Sequence, residues 1–459
     1  MQSYKSRSIL GMMLFLPACG GSDKGDGGAE TSDGGSTSSS GAEETGGSTT
    51  GAAAGPTYYQ DVAPVLSERC SGCHQAGGVA PFALTSYAES APFAALIGAS
   101  VAAGEMPPWP PGGDSPALKH DRSLTEDEVA LLGAWAAAGA PEGDAATAAE
   151  LRQPEVIELP SIDLKTDIGA DHVPDDSLSD DYHCFMIDLG VTEDRVATGY
   201  HFIPGNGKVV HHVLSSLFTA DSRAAIEAMD AATPEVGWPC FGGYSNIPGA
   251  TSIGALGGWV PGVTAVNYPV GTGADVPAGT LLVAQIHYNL AGGTDPDRTR
   301  LEVAFAAKDQ QAGLQLLQTS PFPWVGFKIP AGEKDVVAEQ EMSARVTKKA
   351  FPDGEAYIVG VAGHMHLLGT GFSLTRVGAG GEETVLEIPR WDFHWQGSYE
   401  LVTPMKVVTG DQVRIRCVYD NTAEHRAAQG MGPPVDVTWG EGTEDEMCLA
   451  YLQMIDNLP

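Results

Sequence analysis

The sequence predicts a multidomain chain in which a small all-α domain precedes two all-β sandwich domains. Three observations carry this. Residues 57–150 hold apolar side chains at helical spacing and lie between two low-complexity stretches. From about residue 156 onward, short alternating or apolar runs are punctuated by Gly, Pro, Asn and Asp clusters. The composition agrees, because 58 Gly, 31 Pro and only 18% charged residues suit turn-rich β domains better than a helical bundle. At 459 residues the chain is too long for one ordinary domain, and 42% hydrophobic residues suffice for several cores.

The first element is a targeting segment, residues 1–19. Lys5 and Arg7 make a positive n-region, and Ile9 to Leu16 an apolar stretch too short to span a bilayer. Leu16-Pro17-Ala18-Cys19 then resembles a lipobox, whose cysteine becomes the lipidated mature N-terminus. An ordinary signal peptide with an incidental cysteine is the simpler alternative. Residues 20–56 are almost wholly Gly, Ser, Thr, Ala, Asp and Glu, a linker unable to bury a core. The tether-like run favours the lipoprotein reading. It implies an exported protein, lipid-anchored in a bacterial cell envelope and facing the periplasm or cell surface. No later stretch reaches the roughly 18 apolar residues of a membrane helix, so membrane attachment is expected only through lipid at Cys19. The formal net charge of −34 argues against nucleic acid, which needs a basic face, and against polybasic membrane docking.

In the 57–150 domain, Tyr58 to Leu66 reads as a helix leading into a cysteine pair. Residues 124–139 read as a closing helix, with an acidic start at Thr125 to Glu128 and then Val129, Leu132 and Trp135 at helical spacing. Residues 141–155 form a second Ala/Glu/Pro linker. The β region shows runs such as Leu281-Leu282-Val283-Ala284, Ala356-Tyr357-Ile358-Val359 and Gln412-Val413-Arg414-Ile415, with one helical interruption over 221–229. Its length suits two sandwiches of about 150 residues, over 156–305 and 306–459.

Cys70-Ser71-Gly72-Cys73-His74 is the haem c attachment pattern. Its thiols bond the haem vinyl groups and His74 supplies the proximal nitrogen. A thioredoxin-like pair would need a preceding buried strand, and a zinc site a second ligand pair; neither is present nearby. Met106, 32 residues after His74 in a Pro-rich loop, is the expected sixth ligand, with His120 competing. Residues 57–150 thereby resemble a small class I-type cytochrome c domain. A redox partner at the haem is implied.

The β region carries a second constellation. His211-His212 follow an apolar run, His287 ends another, His364-Met365-His366 ends a third, and Met447 stands in Asp445-Glu446-Met447-Cys448. Residues i and i+2 of a strand face one side, so His364 and His366 converge as a half-site. Adjacent His211 and His212 can both ligate only where a strand ends or bulges. Any single His is more often structural, but buried imidazoles without compensation are costly, and this many point to metal. Imidazole suits copper, zinc, iron or nickel, and a thioether selects copper(I) among these. Of seven cysteines, four remain after Cys19, Cys70 and Cys73, so two disulfides are expected.

The order His-His, Gln285-Ile286-His287-Tyr288, His364-Met365-His366, Asp445-Glu446-Met447-Cys448 and Tyr451 resembles the copper type II, ascorbate-dependent monooxygenases, the peptidylglycine α-hydroxylating and dopamine β-monooxygenases. The resemblance implies two jelly-roll domains and two copper ions. His211, His212 and His287 would hold the electron-transfer copper. His364, His366 and Met447 would hold the catalytic copper, where O2 is activated and a C–H bond of a small organic substrate hydroxylated, with Tyr451 beside it. It implies a Cys417–Cys448 disulfide, which leaves Cys184 and Cys240 as the remaining pair. Two departures stand out. Ala362 occupies the place of a carboxylate-gripping Arg, and Leu449 that of an Asn, so a C-terminal glycine peptide is an unexpected substrate. Electrons would come from the fused haem, from ascorbate, or both. The competing readings are a non-catalytic redox or copper-binding lipoprotein and a zinc or iron β-sandwich enzyme.

Overall fold

The computed structural model describes residues 55–78, 80–178, 180–240, 247–290, 293–440, 442 and 444–458. The expected signal segment, Cys19 and nearly all of the 20–56 linker fall outside them. The described residues from 55 onward fall in one compact unit. The chain is mostly β, and among the described residues every named element before residue 150 is helical.

The sequence predicts one helix over Tyr58 to Leu66, but a π-turn over Tyr58–Val62 precedes the α-helix Ala63–Arg69. Pro64 explains the break: it has no N–H to continue a ladder and suits a first helical turn. Helix Glu126–Ala137 begins with a capping box between Thr125 and Glu128. It ends where Gly139, at φ 78°, lets the Ala140 N–H reach Trp135 O at 3.0 Å. Leu66, Leu132 and Trp135 are fully buried where this helix meets the first.

Two stretches behave differently from their sequence reading. Residues 141–155 are no free linker. Tyr58 N donates to Pro141 O, Ala149 N to Tyr59 O, and Arg152 pairs with both Glu68 and Glu128. Residues 112–119, inside the 57–150 range, pack on the second sandwich. Gly112 N donates to Glu387 O, Lys119 N to Glu400 O and Val402 N to Ala117 O, while Leu118 enters the sandwich core.

In the first sandwich, one sheet runs Leu164–Asp167, Arg300–Phe305, Arg195–Ile203, Thr272–Val276 and Gln315–Leu316. The facing sheet runs Trp238–Pro239, Asp180–Asp188, Leu281–Asn289, Val210–Phe218 and Ser252–Gly254. Tyr200, Phe202 and Leu301 from one meet Phe185, Ile286 and Tyr288 from the other. Strand Leu281–Asn289 is buried on both faces. Leu282, Ala284, Ile286 and Tyr288 point into this core, while Leu281 and Val283 pack with Ile226 of helix Arg223–Asp230. Cys184 and Cys240 are bonded on that outer face, with Cα atoms 5.6 Å apart.

The second sandwich pairs Gln318–Pro323, Leu449–Ile455, Glu355–His364 and Ser398–Val408 in one sheet. Val336–Ser343, Gln412–Tyr419, Gly369–Gly378 and Gly381–Ile388 make the other. Ile358, Val361 and Leu452 meet Phe372, Leu374 and Ile415 between them. The Cys417–Cys448 disulfide ties the two sheets beside Met447.

Candidate metal centres

The first histidine group sits on neighbouring strands. His287 is paired with His212, and the next residue, Tyr288, is paired with Val210, so His211 is the extra residue of a β-bulge. The bulge breaks the alternation that would send adjacent side chains to opposite faces. His212 Nδ1 lies 3.3 Å from His211 Nδ1 and 3.4 Å from His287 Nδ1. His287 Nε2 is 2.8 Å from Asp180 Oδ1, so its proton sits on Nε2 and its Nδ1 lone pair faces the other two rings. Three converging ring nitrogens, with a carboxylate behind His287, can hold a metal ion. Burial first, then His287 and His394, hold His211 down to about 3, and burial pushes His212 well below its ordinary value. Neutral imidazoles are the ligating form.

Ring separation gives a geometric check. With nitrogen about 2.0–2.1 Å from an ion, a ring centroid lies about 3.2 Å out, so two ligands of one ion have centroids about 4.5–6.4 Å apart. The pairs 211–287, 212–287 and 211–212 lie at 4.8, 4.8 and 5.5 Å.

The second group closes strand Glu355–His364. His364 and His366 have ring centroids 5.1 Å apart at 83°, within the same window. His364 Nδ1 lies 2.6 Å from Gln396 Oε1 and His366 Nδ1 3.1 Å from Asp445 O. Each Nδ1 therefore donates, and each Nε2 keeps its lone pair. Burial and then His366 press His364 down to about 4. Glu446, fully buried, accepts from His366 N at 2.9 Å, Leu368 N at 2.6 Å and Met447 N at 3.2 Å. It thereby binds the His366 loop to the Met447 backbone. Burial pushes its carboxyl up to about 8, against the pull of those N–H groups. Strand register puts Leu449 opposite His364 and Tyr451 opposite Ala362. Ala362 and Tyr451 share the face that carries His364. That face presents a methyl group at Ala362 and a phenol at Tyr451.

At the cysteine pair, His74 Nδ1 donates to Phe82 O at 3.0 Å, leaving Nε2 as the ligating nitrogen. Burial raises Cys70 to about 12 and also raises Cys73, opposite to the depressed thiols of a redox dithiol. Cys70, Phe82, Phe93 and Met106 all pack on the helical core. His120 instead stands exposed, 2.9 Å from Glu155. Cys70, Cys73 and His74 offer the groups a covalently attached haem would need, Met106 packs on the same helical core, and His120 is engaged by Glu155 instead.

Sequence reasoning missed several participants. Asp180, Gln396 and His394 carry no local signal, because each acts across strands or between sandwiches. A third group, His172, Asp181 and His183, is wholly buried. Its two rings stack at 4.1 Å and 35°, closer than two rings around one ion, and His172 Nε2 is 3.1 Å from Asp181. It is a satisfied core pair rather than a metal centre.

Residues 310–458 match the family model of the copper type II ascorbate-dependent monooxygenase, C-terminal domain. A mouse protein named DBH-like monooxygenase protein 2 is 24% identical over 360 residues, covering 72% of this chain. The match spans about half of that relative's length, 53%. Together these matches support the copper type II monooxygenase family. Among solved structures, PBCV-1 VP54 fitted into a reconstruction of the virophage Sputnik aligns at a TM-score of 0.22 and 10% identity. It covers 66% of this chain and 97% of that one. The major capsid protein P2 of bacteriophage PM2 aligns at 0.24 and 8% identity, covering 63% and 97%.

Proposed function

We propose that this chain is an exported, lipid-anchored copper monooxygenase that hydroxylates a C–H bond of a small, largely apolar organic substrate with O2. The observation that carries the reading is the pair of histidine groups with opposite presentation: one offers Nδ1 atoms, the other Nε2 atoms. His211, His212 and His287 would hold the electron-transfer copper, and His364, His366 and Met447 the catalytic copper. Bound copper supplies one-electron chemistry and the activation of O2. The chain's own residues do the rest. Asp180 fixes the His287 tautomer, Gln396 and the Asp445 carbonyl fix those of His364 and His366, and Glu446 holds the Met447 backbone in register with His366. Ala362, Leu449 and Tyr451 leave an apolar mouth with one phenol.

Electron supply from a c-type haem at Cys70, Cys73 and His74 is supported by where that loop lies. A Cβ built on Gly262 would stand 3.5 Å from Cys73 Sγ, and Arg122 donates to Pro261 O. The adjoining strand Gly258–Trp259 pairs with Val213 and Leu214, next to His212. Ascorbate would act as an alternative reductant. Metal analysis with electron paramagnetic resonance tests the reading. Two coppers and one haem iron per chain, with copper-dependent O2 consumption on a C–H substrate, are expected. Zinc or iron in the histidine sites would overturn it. Copper with no O2 consumption on any C–H substrate would leave a non-catalytic copper-binding redox protein.

A further inference from the structure

The short turn Phe393–Trp395 touches both histidine groups. His394 lies edge-on to His211, with centroids 5.6 Å apart at 85°, and the Trp395 ring lies 6.3 Å from the same imidazole. On the other side Gln396 Oε1 accepts from His364 Nδ1 at 2.6 Å, and the Phe393 ring stands 5.9 Å from His366. The turn is built as one piece. Asp392 Oδ1 accepts from His394 N at 2.9 Å, Asp392 O from Trp395 N at 3.1 Å, and Gln396 Nε2 donates to Phe393 O at 2.9 Å. Its root is fixed, since Trp391 is buried in the second sandwich core. A segment with three internal hydrogen bonds moves as a body, so displacement at Gln396 is passed to His394 and Trp395.

We propose that residues 392–396 form a shared wall of the two metal sites and couple their occupancy. The proposal rests on the copper reading above. An ion held by His364 and His366 immobilises the His364 ring. That ring fixes the Gln396 amide, and the turn then holds His394 and Trp395 against His211. The ordering needed at the first site is thus already made when the second is filled, and the converse holds by linkage. His394 and Gln396 act as positioning residues.

The test uses the full chain, stripped of copper and titrated with Cu(II) against a competing chelator, with paramagnetic resonance to identify the site filled. His366→Ala leaves only the first site and His287→Ala only the second. Their separate binding constants give the product expected for independent sites. In the unaltered chain the two-ion constant should exceed that product by about fivefold or more. With His394→Ala and Trp395→Ala together the excess should vanish, while each single-site constant changes far less than the excess. Because His394 is exposed and Trp395 half-buried, these changes leave the core intact. Equality of the two-ion constant and the product in the unaltered chain would overturn the proposal, as would an excess that survives loss of both rings. Either result leaves the copper reading standing. Failure of the unaltered chain to bind Cu(II) at either histidine group would overturn both.

Discussion

Glu446→Ala removes a fully buried carboxyl group whose oxygens serve three backbone N–H groups, those of His366, Leu368 and Met447. Alanine offers no acceptor to those donors. Each buried donor left unmet costs about 1–3 kcal/mol, so the His366 loop should lose at least about 3 kcal/mol of local stability. At about 1.4 kcal/mol per decade, that is roughly a hundredfold or more in the opening equilibrium. Hydrogen exchange read by mass spectrometry on the peptide spanning residues 363–369 measures it directly. The expected result is at least hundredfold faster exchange there, with the 281–289 strand unchanged. Glu446→Gln keeps one acceptor oxygen and should fall between. Copper affinity at the second site should drop about 10- to 100-fold, as for other losses behind a metal ligand. Exchange within threefold of the parent in Glu446→Ala would refute the role given to this carboxyl group.

Met447→Ala should abolish substrate hydroxylation while leaving haem absorbance and the resonance of first-site copper intact; unchanged turnover would remove Met447 from the second site. Met106→Ala should remove the sulfur-to-iron absorption band and lower the haem potential, whereas His120→Ala should change neither, because His120 faces Glu155. Replacing Cys417 and Cys448 by Ser opens a crosslink spanning 31 residues. On loop-closure entropy this costs about 4 kcal/mol, readable as a lower denaturant midpoint for the second sandwich.

Much of this architecture was legible because strand and helix periods are local. The apolar runs Leu281-Leu282-Val283-Ala284 and Ala356-Tyr357-Ile358-Val359 marked both buried strands, and the period of a strand put His364 and His366 on one face. Double histidine 211–212 called for a strand end or a bulge, since two neighbours on a regular strand cannot share a face, and the structure shows the bulge. The acidic start of the closing helix over Thr125 to Glu128 was visible in the letters, and the structure shows it as a capping box. What stayed hidden was set by long-range pairing. Asp180 reaches His287 from 107 positions away, and Gln396 reaches His364 from 32. Nothing near Asp180 or Gln396 distinguishes them from surface residues until the sheets are assembled. The 141–155 stretch misled for a related reason. Its composition reads as loose, yet Arg152 finds Glu68 and Glu128 once the helices have folded.

The segment 112–119 has a consequence for how the chain can be cut. Strand Ser398–Val408 is the last of its sheet, bonded only to Glu355–His364 on one side. An outermost strand with bare amides and carbonyls is a template for pairing with another molecule. Here the Ala117 carbonyl and the Lys119 amide occupy that ladder, and Leu118 lies antiparallel to Leu401. The stretch that leaves the N-terminal helices therefore covers part of that edge. Expressing residues 156–459 alone would strip it away and bare the edge at residues 400–402. Aggregation of that fragment, rather than loss of any active group, is the first obstacle to dissecting this chain into its parts.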